Sequence, residues 1–158
     1  MILQNRTDWD DSFLRRLVAW VAKEIELPAK EIRQAAFTRT KTCAFRGRAW
    51  WCGRIRVVIG PEQRYPVKPF LYPGRKSERY LSPHYADPLE ALVGVTAHEL
   101  THLRDFMQRY NNGRTGRGPG ETNTRAEERR VHALFVARKT ELVALWSAVA
   151  VRSAANRS

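Results

Sequence analysis

The sequence predicts an α+β domain from three observations: a strand-like alternation running into Gly60, a helical pattern from Asp87 to about Tyr110, and another from Thr124 onward. The 158 residues, 1–158, read as a single domain, long enough to bury a real core without metal or disulfide staples. The expected layout is an N-terminal helix, a small, mainly antiparallel sheet, a central helix packed on it and a long C-terminal helix closing the other side.

The elements follow in order. Asp10-Asp11-Ser12 opens a first helix with an apolar face of Phe13, Leu14, Leu17, Val18, Trp20, Val21 and Ile25, and Leu27-Pro28 ends it. Residues 31–40 alternate weakly, as a strand would. Arg46-Gly47-Arg48 reads as a turn that would bring Cys43 and Cys52 near each other across a hairpin; with no CxxC, neither cysteine is assigned chemistry. Between Arg54 and Gly60, Ile55, Val57 and Ile59 face one way, which predicts a half-buried antiparallel strand. As a sheet edge, that strand would let an extended peptide lie alongside. Prolines 61, 66, 69 and 73 keep the next stretch out of a helix, leaving a short edge strand or an ordered loop.

Asp87-Pro88-Leu89-Glu90 carries the marks of a helix start: an acidic cap, proline at the first position and Glu at the third. Asn111-Asn112-Gly113 supplies the stop. The helix between is apolar on two sides, so it should lie between two layers. Residues 111–120 hold four glycines and reverse the chain; they lack the GK[ST] ending of a phosphate-binding loop, which excludes nucleotide binding of that kind. Thr124-Arg125-Ala126-Glu127 fits a capping box that would occupy Glu127 and leave Glu128 facing the interior with Val131 and Phe135.

A formal charge of +12, with 22 Arg against 6 Lys, suggests proximity to nucleic acid, because guanidinium forks suit phosphate. The arginines are spread along the chain rather than gathered in one tract. No secretory apolar region follows Met1, and the most apolar run, Leu142 to Val151, is about half of what a bilayer requires. A cytoplasmic protein without a membrane span is the expectation.

The chemistry gathers at His98-Glu99-Leu100-Thr101-His102, an HExxH pattern. On a helix, residues four apart lie one above the other, so His98 and His102 could share one Zn2+ while Glu99 stands beside its open position as general base. Zinc hydrolysis needs a third protein ligand. Glu128 is the first choice, with Glu127, His84 and His132 as alternatives. Tyr80, His84 and Tyr85 precede the helix, and each could donate a hydrogen bond to an oxyanion.

From Asp87 to Arg138 these residues resemble the compact gluzincin metallopeptidases, including the ImmA-like group found with phages and mobile elements. The resemblance implies a zincin-like fold, Zn2+ on His98, His102 and Glu128, and a protein or peptide substrate. It also makes His132 a partner that orients a ligand histidine. A weaker similarity is to SprT-like proteases, whose third histidine lies in a Gly-His-Gly-Pro stretch; here Gly116-Arg117-Gly118-Pro119 puts Arg at that place, and Arg cannot bind zinc. Two other classes compete with the enzyme: a catalytically silent zinc-stabilised protein, and a metal-free basic module that contacts nucleic acid.

Overall fold

A computed structural model describes residues 1–71, 76–111 and 121–155. The chain opens with β1 (Ile2–Arg6), a strand whose sequence ILQNR is too polar to announce itself. Next comes α1 (Asp11–Glu24), capped by Asp10, whose carboxylate accepts from the backbone amides of Ser12 at 2.8 Å and Phe13 at 3.1 Å. Phe13, Leu14, Leu17, Val18 and Val21 form its buried stripe. A short 3-10 turn leads into β2 (Gln34–Arg39), within the segment whose alternation was weak.

Two expectations fail in the next stretch. Arg46-Gly47-Arg48 is not a turn but the middle of β3 (Phe45–Trp50), and the chain reverses instead at Trp51–Gly53 before β4 (Arg54–Ile59). Cys43 and Cys52 therefore flank opposite ends of β3, and both are free thiols.

The sheet is also not mainly antiparallel. Its order is β1-β2-β4-β3, with β1 and β4 both parallel to β2 and only β3–β4 antiparallel. The cause is connectivity: α1 carries the chain back so that β2 starts at the same end as β1, as a crossover connection does. The β3–β4 hairpin then inserts its second strand beside β2. Thus β4 is an interior strand, and the edge nearest the helices is β3.

The described residues between Pro61 and Asp87 are tied by isolated antiparallel bridges between Val67 and Tyr85 and between Leu71 and Leu81. They lead into α2 (Pro88–Asn111). The helix start is built as its sequence suggests: Asp87 Oδ1 accepts from Glu90 N at 2.9 Å, and Glu90 Oε2 accepts from Ala86 N at 2.8 Å. From Glu90 to Thr101 every residue is buried, because α2 has the sheet on one side and α1 and α3 on the other.

The single long C-terminal helix is in fact two, α3 (Glu121–Ala137) and α4 (Lys139–Ala155), broken at Arg138. The break lets Trp146 of α4 fold onto Phe135 of α3, rings stacked 5.8 Å apart, while its edge meets Phe13 of α1. Because α3 already begins at Glu121, Thr124 is inside the helix and is not its cap. The proposed stop at Asn112-Gly113 and the Gly116–Pro119 stretch lie outside the described residues. Among the described residues no helix is long and apolar enough to cross a membrane.

Candidate active site

Residues His98, Glu99 and His102 fall in the buried middle of α2, on the side facing β3 and α3. They line a cleft of about 350 Å³ whose other walls are residues 45–49 of β3, including Arg46, Gly47 and Arg48, with Val95 and Phe106 of α2 and Arg125 and Glu128 of α3. One wall of the cleft is thus an edge strand.

The four-residue spacing does what helix geometry requires of it. His98 Nε2 and His102 Nε2 stand 3.1 Å apart, their rings crossing at 76°. Two nitrogens bound at about 2.0–2.1 Å to one tetrahedral ion are about 3.3 Å apart, so this edge of two imidazoles fits a zinc-sized cation. Glu128, the acid singled out on the following helix, is fully buried and comes to the same place. Its contact, however, is to the far side of the first ring: Oε2 lies 2.9 Å from His98 Nδ1. It holds His98 rather than facing the Nε2 edge, and among the described residues no set of three His, Cys, Asp or Glu side chains converges as a metal site.

The carboxylate of Glu128 is itself held from two more directions. Arg125 Nη1 donates to Oε2, and the hydroxyl of Tyr85 donates to Oε1. Burial by itself would push the Glu128 pKa up; the hydrogen bond and charge of His98, then the Arg125 guanidinium and the Tyr85 hydroxyl, outweigh it and hold the group below its ordinary 4.5. An ionised carboxylate only accepts, so Nδ1 of His98 donates in this contact, and in the neutral ring that leaves the Nε2 lone pair on the side of His102. Burial, with Glu128 beside it, raises the Tyr85 pKa well above its usual range and keeps the phenol protonated.

Two glycines make these approaches possible. A β-carbon at Gly47 in β3 would stand 2.6 Å from Glu99 Cδ, so only a glycine lets the carboxylate lie against the strand. A β-carbon at Gly94, one turn before His98, would stand 2.8 Å from Tyr85 Cζ, so the tyrosine ring crosses α2 where the helix has no side chain.

The remaining candidates do not meet at the cleft. Glu127 faces outward to Arg130 Nη2 at 2.8 Å, a consequence of the earlier helix start. His132 lies near Glu90, 3.4 Å from Oε2, and against the Tyr85 ring; it touches neither motif histidine. His84 is exposed. None of Tyr80, His84 and Tyr85 lines the cleft, and the Tyr85 hydroxyl is committed to Glu128. Sequence reasoning missed Gly47, Gly94 and Arg125. A glycine inside a strand or helix pattern is a signal of close approach, and Arg125 sits at i−3 from Glu128, the spacing of a helical ion pair.

The fold and cleft define an α+β chain in which buried His98 and Glu99 and half-buried His102 open onto a sheet edge. Compared with protein-family models, with curated proteins and with solved structures, the chain matches none.

Proposed function

We propose that this chain is a zinc-dependent metallopeptidase that hydrolyses peptide bonds. The observation that carries the reading is the 3.1 Å convergence of His98 Nε2 and His102 Nε2 in a cleft that also contains Glu99. His98 and His102 would supply two of the ion's ligands, no third converging with them among the described residues, and Glu128 would fix the tautomer and aim of His98 from behind. When bound, Zn2+ supplies a Lewis acid that polarises a carbonyl and lowers the pKa of a water toward about 7.

The chain's own groups do the rest. Glu99 takes the proton of the attacking water and passes it to the leaving amine, a task suited to a carboxylate buried beside the cleft. The edge of β3, unpaired among the described residues, offers backbone amides and carbonyls to an extended peptide, a role that the sequence suggested for β4. Phe45 and Phe106 supply apolar parts of the wall, and Arg46, Arg48 and Arg125 supply positive charge.

The test is cleavage of an unstructured protein such as casein by the zinc-loaded chain and by Glu99→Gln. Turnover by the first, and loss of at least about 100-fold in the second with zinc retained, is the expected result. Equal cleavage by both would remove Glu99 from the reaction, and no cleavage of any protein tested would favour the silent zinc protein.

A further inference from the structure

The helices cover one face of the sheet, and the strand register fixes what the other face carries. Across it run three rows: Ile2, Gln34, Arg54 and Trp50; Gln4, Ala36, Arg56 and Arg48; Arg6, Thr38, Val58 and Arg46. Five of the twelve side chains are arginine and none is acidic. All five arginines are exposed, and among the described residues none has a carboxylate within 4.0 Å.

Elsewhere on the surface Arg39, Arg130 and Arg138 are each paired to an acid, while Arg15, Arg33, Arg64 and Arg79 are exposed and have no carboxylate within 4.0 Å among the described residues; what distinguishes the sheet face is that its five stand together. Arg46 and Arg48, like Arg54 and Arg56, stand about 7 Å apart along a strand, Arg48 and Arg56 about 5 Å apart across β3–β4, and Arg6 on β1 about 10 Å from β4. This matches the spacing at which successive phosphates of a single strand can be met. Trp50 lies among them, with Arg48 at 5.2 Å and Arg54 at 5.6 Å from its ring. A hollow of about 290 Å³ lies between Trp50, Arg54, Arg56, Arg6 and Gln34, and beside it Thr38 Oγ1 is buried without a hydrogen-bond partner among the described residues.

We propose that this open sheet face binds single-stranded nucleic acid. Four of the five arginines come together through the β3–β4 hairpin, and Arg6 joins their face because β1 and β4 both flank β2. Guanidinium forks meet phosphate oxygens in pairs, and a tryptophan between them offers a base a stacking surface. A duplex groove admits a helix or a two-stranded ribbon, whereas a flat four-stranded face suits unstacked bases and an exposed backbone. Arg46 and Arg48 also border the cleft of Glu99, whereas Arg6, Trp50, Arg54 and Arg56 do not, so binding on this face does not depend on the metal.

The experiment is titration of a fluorescent 15-nucleotide oligo-dT with the full chain at several salt concentrations. Arms with the same-length duplex and with phosphatidylserine vesicles separate the polyanions. Binding should favour the single strand, and Arg6→Ala/Arg54→Ala/Arg56→Ala, checked for native circular dichroism, should weaken it at least about tenfold and reduce the salt slope by about 2. Trp50→Leu should weaken it about tenfold with the slope unchanged. Unaltered affinity in the triple variant, or binding to duplex or vesicles as tight as to oligo-dT, overturns the proposal. Glu99→Gln should bind like the parent, so failure here and failure of the peptidase reading are told apart.

Discussion

Glu99 and Gly47 share one space: the carboxylate on α2 lies where any side chain on the middle of β3 would have to begin, 2.6 Å from Cδ to a β-carbon built on the glycine. Gly47→Ala should therefore push the Glu99 carboxylate out of place while leaving the strand paired. Peptide cleavage should fall about 10- to 100-fold, the usual cost of misplacing a reacting group by about 1 Å. The thermal midpoint should move little, since alanine in a strand removes chain entropy from the unfolded state. Full activity in this variant would mean that Glu99 works from another position.

Glu128 meets His98 at Nδ1, so its removal should loosen the ligand rather than delete one. Glu128→Gln should keep one zinc per chain but weaken its affinity about 10- to 100-fold, measured by competition with a chromophoric chelator. Complete loss of bound zinc would instead make Glu128 a direct ligand, the role first assigned to it.

Lys139 bridges the start of α2 from α4, donating to Asp87 and to Glu90 Oε1 at 2.9 Å. Burial would raise both carboxyl pKa values, but the lysine and nearby backbone amides hold them below their ordinary 3.8 and 4.5. Burial would likewise lower that of Lys139, and its bonds to the two acids raise it above 10.5. Depressed carboxyl values stabilise the fold above the unfolded pKa and lose that contribution as pH falls through the folded one. A raised lysine value stabilises below 10.5 and loses its contribution as pH rises through the folded value. Lys139→Met should cost about 1 kcal/mol at neutral pH, a modest figure because Lys139 is 30% exposed. In urea unfolding the gap to the parent should close toward about pH 3. A gap independent of pH would assign the loss to packing.

Much of the site was legible, and the reasons are local. The HExxH spacing, the Asp87-Pro88 helix start and the Glu128 side of α3 all follow from 3.6-residue periodicity and capping, which act within a turn or two. What was not legible depends on partners far along the chain. The parallel pairing of β1 with β2 follows from where α1 returns the chain, and no pattern inside ILQNR records it. Arg46-Gly47-Arg48 was read as a turn because glycine between charges usually is one; its real cause, Glu99, lies 52 residues away on another element. The Thr124 cap failed because the helix starts a turn earlier, at Glu121, and Glu127 then pairs with Arg130.

Trp146 closes the base of the domain, 98% buried between Phe13 and Phe135. Trp146→Ala should cost about 3–5 kcal/mol through transfer and cavity terms, seen as a lower urea midpoint. A loss below about 1 kcal/mol would show that α4 does not contribute to the core.

The central claim is that His98 and His102 bind one ion between their Nε2 atoms. Metal analysis after dialysis of the zinc-loaded chain tests it most directly, with Glu99→Gln and His98→Ala/His102→Ala in parallel. One zinc per chain in the parent and in Glu99→Gln, with none in the double-histidine variant, is the predicted result. A parent that retains no zinc, or a double variant that retains as much as the parent, would contradict it.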